Sequence, residues 1–297
     1  MRANMETPQI IYIQGNGHSG STLLSMVMEL DARTFNAGEL SFIIRKGIEN
    51  EFCSCGDKIG QCPFWNEVLD KWKQRTNASI IELRTLRNRY ERNLTTLRLY
   101  FAMFSNSQSL RRYNFLIGIL FESIAQVSGK NIIIDASKSP QRALILSRFK
   151  NIRVLHLIRD FKGVLNSAKK SWTRDLEKGY EEDKQPRKTY RVLLDWLFIN
   201  SLGSLHRLLY PSVWLTYRDF IQFNSKVLNE RLEPQLYIKE LRPMSSEHMI
   251  AGNALRLKKN VMLNSETGFK YENLTQGQLR IARSVDKIFS IWLANES

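Results

Sequence analysis

Gln9-Ile-Ile-Tyr-Ile13-Gln-Gly15-Asn-Gly17-His-Ser-Gly20-Ser-Thr22-Leu-Leu24 is the stretch on which the fold turns. Its first half is a short β-prone apolar run, and the segment Leu23 to Leu30 has the character of a helix. A glycine-rich turn between a strand and a helix is the context of a phosphate loop. Glycines let the backbone bend until several N–H groups face one anion, and the helix N-terminus adds its partial positive charge. An ordinary glycine-serine turn is the plain alternative. Gly15, Gly20 and Thr22 fit the spacing G-x-x-x-x-G-K-[ST], but Ser21 stands where that pattern has lysine. In nucleoside triphosphatases the lysine reaches the β- and γ-phosphates. Its loss argues for a donor with fewer charges, bound without a metal. Gly17, His18, Ser19, Gly20, Ser21 and Thr22 are therefore candidate binding residues. His18 is placed to touch the transferred group from inside the loop, or it is simply a solvent-facing loop histidine.

Three more short apolar runs follow, Asn131 to Asp135, Ile152 to Ile158 and Ser212 to Tyr217. Strands separated by helical segments imply parallel βαβ units. The expectation is an α/β, three-layer, P-loop-like fold in a single domain over 1–297, with a parallel sheet of four to five strands flanked by helices. Residues 76–128 have apolar positions at helical spacing and no proline. They read as a helical insertion between the first and second strands, available as a lid or substrate-facing wall. The charged segment 174–188 reads as a mobile loop. Leu279 to Leu293 is apolar at Leu279, Ile281, Ala282, Val285, Ile288, Phe289 and Trp292, which predicts an amphipathic packing helix.

The run Ile152 to Ile158 delivers Arg159-Asp160 to the carboxyl edge of the sheet, where α/β proteins bind ligands. Ser167 lies about two helical turns further on. An arginine fork plus a hydroxyl suits a dianionic phosphate. Pairing of Arg159 with Asp160 or Asp135 is the structural alternative.

The chain has 297 residues, 43% of them hydrophobic, and a formal net charge of +15, a surplus that favours anionic partners without choosing among them. Its 44 Lys and Arg are spread along the sequence, and no nucleic-acid recognition pattern is visible, so no nucleic-acid partner is expected. No apolar run approaches the roughly 20 residues of a membrane span, and Gln9 to Ile13 is too short for a signal-peptide core. A soluble cytoplasmic protein without a membrane span is the expectation.

Taken together, these segments resemble the sulfotransferases that use 3′-phosphoadenylyl sulfate (PAPS), in particular the bacterial, carbohydrate and tyrosyl-protein types. Gly17-His-Ser-Gly-Ser-Thr-Leu-Leu24 is similar to their 5′-phosphosulfate loop, with His18 where arginine or lysine is common. Leu157-Ile-Arg159-Asp160 through Ser167 resembles their 3′-phosphate motif. Val213 to Phe220 resembles a late strand and helix start whose tyrosine, here Tyr217, lies by the nucleotide. His248 to Arg256 resembles the C-terminal cofactor-closing loop, here with Gly252, Asn253 and Arg256. Gly38-Glu39-Leu40 is similar to an element whose glutamate is the base, and Asp135-Ala-Ser-Lys138 to one whose lysine lies beside the sulfuryl group. The resemblance implies an enzyme that uses PAPS, releases adenosine 3′,5′-bisphosphate and needs no metal. Its acceptor would be a hydroxyl or amine on a glycan or small molecule, and Glu39, Lys138 and His18 would be its catalytic residues. In such an in-line displacement a carboxylate takes the acceptor's proton, while Lys138, Ser19 and loop N–H groups stabilise the leaving oxygen. The competing readings are a divergent P-loop kinase or nucleotide hydrolase, with Asp135 as its Mg²⁺ carboxylate, and a non-catalytic polyanion-binding module.

Cys53-Ser-Cys55-Gly-Asp-Lys-Ile-Gly-Gln-Cys62-Pro-Phe-Trp65 holds all three cysteines. Zinc usually takes four ligands at spacings such as C-x₂-C. A C-x-C start, three cysteines and no histidine nearby in sequence argue against a metal. A disulfide of Cys53 or Cys55 with Cys62, or reduced thiols in a compact loop, are the other readings. Phe64 and Trp65 would begin a helix walling the acceptor or adenine pocket.

Overall fold

The computed structural model describes residues 7–46, 52–174, 183–263 and 271–294. Strand β1 (Gln9–Gly15) runs through the centre of a parallel sheet, in contact with β3 (Ile132–Lys138) on one side and β4 (Ile152–Ile158) on the other. β2 (Thr34–Gly38) pairs outside β3, and β5 (Ser212–Thr216) pairs outside β4. Every pairing is parallel. The period of two shows in β1 itself. Ile10 and Tyr12 enter one core cluster, whereas Ile11 and Ile13 enter the other. The fold is α/β with helices on both faces of a five-stranded sheet.

β2 is the strand that the apolar runs do not signal. Its sequence, Thr-Phe-Asn-Ala-Gly, is buried throughout, yet two of its five residues are polar. Both are satisfied locally. Thr34 Oγ1 donates toward the Asp31 and Met28 carbonyls, at 2.8 and 3.2 Å, and Asn36 Oδ1 accepts from Gly38 N at 3.0 Å. Because β2 precedes them, the helices α3 (Pro63–Thr76), α4 (Ile80–Tyr90), α5 (Thr96–Phe104) and α6 (Gln108–Ser128) lie between the second and third strands, not the first and second. They form a core layer. Trp72 and Leu116 share a cluster with Tyr12 and Ile133 of the sheet, and Trp72 Nε1 donates to Leu116 O at 2.9 Å.

The opposite face is covered by α1 (Ser21–Met28) and α10 (Tyr217–Leu232), which pack Leu24, Val27 and Phe220 on Ile11, Ile13 and Leu155. A third cluster joins α8 (Phe161–Ala168), α9 (Thr189–His206) and α11 (Gln276–Ala294) through Phe161, Trp196 and Ala282. On α11 the expected packing stripe is narrower than the sequence implies. Ala282, Val285 and Phe289 pack, whereas Ile281 and Ile288 are 50% and 70% exposed. The side chain of Trp292 lies outside the described residues, as do residues 175–182 of the expected mobile loop. Among the described residues no helix is long and apolar enough to cross a membrane.

Candidate active site

The loop after β1 leaves the carboxyl edge of the sheet and becomes the first turn of α1. Two close approaches require its glycines. A Cβ on Gly15 would sit 2.5 Å from Leu157 O, and one on Gly20 would sit 2.4 Å from the Tyr217 ring, where φ is also +96°. His18 is left-handed too, with φ 68°, an uncommon conformation for a residue with a Cβ. Ser19 is fully buried, and its Oγ finds no hydrogen-bond partner; Asn16 Nδ2 is likewise buried and unpartnered. Unsatisfied buried polar atoms are rare enough in folded proteins to call for a reason. A ligand with acceptor oxygens in the loop is such a reason.

Arg159 follows the last residue of β4. Its Nη1 donates to His18 O at 3.0 Å, and its Cζ stands 4.3 Å from the Tyr217 ring centroid. Loop, arginine and tyrosine are therefore one assembly. Asp160 caps α8, accepting from Gly163 N at 3.2 Å. Ser167, near the end of α8, accepts from Lys184 Nζ at 3.1 Å through its carbonyl, not through the hydroxyl that the sequence singles out. Burial first, then Lys184, Lys138, Arg187 and Arg159, push the His18 imidazole down to about 3. His18 is thus neutral at ordinary pH in this structure. Lys184 is itself pushed down to about 8, by burial and then by Lys170 and Arg187. Lys184 and Arg187 were not among the candidates. In sequence they belong to a polar loop, with nothing to distinguish them from solvated charges.

On the other side of the loop, Lys138 Nζ donates to Glu39 Oε1, and both side chains are largely buried. Lys138 ends β3 in a left-handed conformation, φ 70°, which is strain of the kind that concentrates at functional sites. Glu39 is set by its backbone, since its N–H donates to Ile250 O at 2.8 Å. Gly38 permits that approach: a Cβ there would lie 2.2 Å from the same carbonyl. Asn253 N donates to Thr22 Oγ1 at 3.1 Å, and Arg256 Nη1 donates to Gly252 O at 3.3 Å. A Cβ on Gly252 would fall 3.0 Å from Thr22 Oγ1 and 3.7 Å from Glu39 Oε1. The segment holding Gly252, Asn253 and Arg256 thus folds over the start of α1, beside Glu39.

The structure is similar to a sulfotransferase domain from the curacin biosynthetic pathway, at 16% identity and a TM-score of 0.47, covering 95% of this chain and 98% of that one. It is also similar to a sulfotransferase domain from the Synechococcus PCC 7002 olefin synthase, at 15% identity and a TM-score of 0.44, covering 96% of this chain and 97% of that one. No family model and no curated protein matches the sequence.

Asp135 has another use. It is fully buried, its Oδ2 accepts from Arg142 Nε at 2.8 Å, and its Oδ1 accepts from Ser137 N at 3.0 Å. Arg142 also donates through Nη1 to Glu91 Oε1 at 2.9 Å, and Tyr113 OH donates to the same oxygen at 2.6 Å. A carboxylate occupied this way is unsuited to holding Mg²⁺, so the Walker-type reading of Asp135 loses its ligand. Arg159 and Asp135 therefore belong to separate networks.

The cysteine segment departs from its sequence reading. Cys53, Cys55 and Cys62 are free thiols, so the disulfide alternative is not what the structure has. Burial pushes the thiols of Cys53 and Cys62 up, which makes neither an activated nucleophile. A histidine does lie close: His248 Nδ1 is 3.4 Å from Cys62 Sγ, brought there across 186 residues of chain. Trp65 does not wall an open pocket. It is fully buried and donates through Nε1 to His248 O at 2.9 Å, while Phe64 stacks flat on the His248 ring.

Proposed function

We propose that this protein transfers a sulfuryl group from 3′-phosphoadenylyl sulfate to a hydroxyl or amine acceptor. The observation that carries this reading is the Glu39–Lys138 contact beside a glycine loop that has no phosphate-binding lysine. When bound, the donor supplies an electrophilic sulfur and a nucleotide leaving group. The residues present fit such a donor: Ser19 Oγ is a buried hydroxyl without a partner, at the positive end of α1.

In this reading Glu39 removes the proton from the acceptor. Lys138, Ser19 and the loop N–H groups hold the negative charge that gathers on the leaving oxygen. Gly17, Gly20, Ser21 and Thr22 shape the loop. Arg159 and Ser167 hold the 3′-phosphate, with Lys184 adding charge, and Tyr217 lies along the nucleotide. Gly252, Asn253 and Arg256 close over the donor. His18, neutral in the unliganded protein, offers the donor a hydrogen bond. No metal is needed for the transfer. The basic side chains around His18, namely Lys138, Arg159, Lys184 and Arg187, favour an acidic glycan as acceptor over an uncharged small molecule. The setting we propose is cytoplasmic, with no nucleic-acid partner.

Calorimetry with adenosine 3′,5′-bisphosphate in the presence of EDTA tests the donor. Binding without Mg²⁺ is expected. Binding of ATP only, and only with Mg²⁺, would reject the reading in favour of a divergent kinase or hydrolase. A screen of acceptors with sulfur-labelled donor then identifies the second substrate.

A further inference from the structure

We propose that Cys53, Cys55, Cys62 and His248 form a structural zinc site. The three Sγ atoms and one imidazole nitrogen all lie within 4.8 Å of one another. With Zn–S near 2.3 Å and Zn–N near 2.05 Å, a regular tetrahedron has S···S edges of about 3.8 Å and S···N edges of about 3.6 Å. Cys53 Sγ and Cys62 Sγ are 3.7 Å apart, and His248 Nδ1 is 3.4 Å from Cys62 Sγ and 3.7 Å from Cys53 Sγ. Three of the tetrahedron's edges are thus close to their metal-bound lengths, and all are far from the ~2.05 Å of a disulfide.

The donor set is soft and complete. Thiolate and imidazole ligands select zinc over magnesium or calcium, and binding exchanges the thiol protons for the dication. Four protein ligands leave no position for water, so the site is of the closed, structural kind.

Backbone hydrogen bonds hold the cysteine loop in this arrangement. Cys53 N donates to Asp57 O at 2.9 Å, Gly56 N to Cys53 O at 3.0 Å, and Cys62 N to Lys58 O at 2.9 Å. Gly56, with φ 101°, turns the chain so that Cys53 and Cys62 face one point. Ser54 N donates to Met249 O at 2.9 Å, and Met249 N donates back to Ser54 Oγ at 2.8 Å, which docks the histidine segment on the cysteine loop. Phe64 fixes the plane of the imidazole, with ring centroids 4.7 Å apart and planes 6° from parallel. Such supporting contacts orient metal ligands.

The site also has a place in the architecture. Ile250, two residues beyond His248, receives the N–H of Glu39, and Asn253 donates to Thr22. A zinc ion here would tie the segment over the glycine loop to the start of α3. The metal site itself does not depend on the sulfuryl-transfer reading.

The test is metal analysis of the full-length protein purified without chelators, together with Co²⁺ titration of the metal-stripped protein. About one zinc per chain is expected, with the intense visible absorption of tetrahedral thiolate-bound cobalt. Cys55 is exposed, so Cys55→Ser leaves the packed interior intact, and it should weaken zinc binding tenfold or more. Cys62→Ser and His248→Ala should bind no stoichiometric metal, and zinc removal should lower the Tm of the wild type but not theirs. Wild-type protein that purifies without zinc and takes up no tetrahedral cobalt, a Cys53–Cys62 disulfide in the mass spectrum, iron in place of zinc, or full zinc retention in all three variants would each overturn the proposal.

Discussion

Lys138 Nζ donates a hydrogen bond to Glu39 Oε1, joining the last residue of β3 to the residue after β2. Neighbouring strands of a parallel sheet end side by side, so the pair is a product of sheet order. The two form an ion pair whose side chains are both largely buried.

If Glu39 is the base, Glu39→Gln should lower kcat by about 10²- to 10⁴-fold. Its affinity for adenosine 3′,5′-bisphosphate should change little, because the amide keeps the shape and can still meet Lys138. Single-turnover kinetics and calorimetry separate the two effects. A fully active variant would remove the assignment.

Arg159→Ala should weaken bisphosphate binding by about 1.5–3 kcal/mol, the range for a charge-assisted contact. The thermal midpoint of the unliganded protein should also fall, since the side chain donates to His18 O and lies over the Tyr217 ring. Calorimetric binding alongside a melting curve checks both.

Nucleotide affinity should fall as pH rises through about 8. Lys184 is pushed down to about that value, so it is charged below it and neutral above it. A bound anion favours the charged form, which makes binding proton-linked in this window. Lys184→Arg keeps its charge and should flatten the profile between pH 7 and 9. An unchanged slope in that variant would exclude Lys184 as the source.

Buried His156 should make stability pH-dependent on the acid side. Burial holds it down to about 4 when folded, against about 6.5 in an unfolded chain. Between these values the unfolded state binds more protons, so stability rises with pH, by up to about 1.4 kcal/mol per pH unit for one group. Glu29, pushed up to about 7 by burial, acts in the opposite sense between about 4.5 and 7. Urea unfolding of wild type and His156→Gln at pH 5 and pH 7 isolates the histidine. The variant should show the smaller gain between the two.

Arg142→Met should destabilise the fold by about 3–5 kcal/mol, because it strands Asp135 and Glu91 as buried carboxylates. Asp135→Asn should likewise lower stability, and Mg²⁺ should have no effect on either protein. Equilibrium denaturation with and without Mg²⁺ distinguishes a structural Asp135 from a metal ligand.

Local chemistry is what the sequence determined by itself. Strand, glycine turn and helix at residues 9–30 are contiguous, so the turn and its lack of a lysine were legible, as were the runs that became β1, β3, β4 and β5. Arg159, at the end of such a run, was legible for the same reason. Tertiary structure decided everything that depends on which distant segments meet. β2 carries its polar residues inside, and Asn36 Nδ2 donates to Ser25 Oγ at 3.1 Å only because the fold lays α1 beside it. Lys184 and Arg187 act on His18 only because the fold brings them near it. Asp135 was taken by Arg142, and His248 reached the cysteines across 186 residues. Hydrogen bonds and ion pairs act over a few ångströms, and sequence separation says nothing about that distance until the sheet order is fixed.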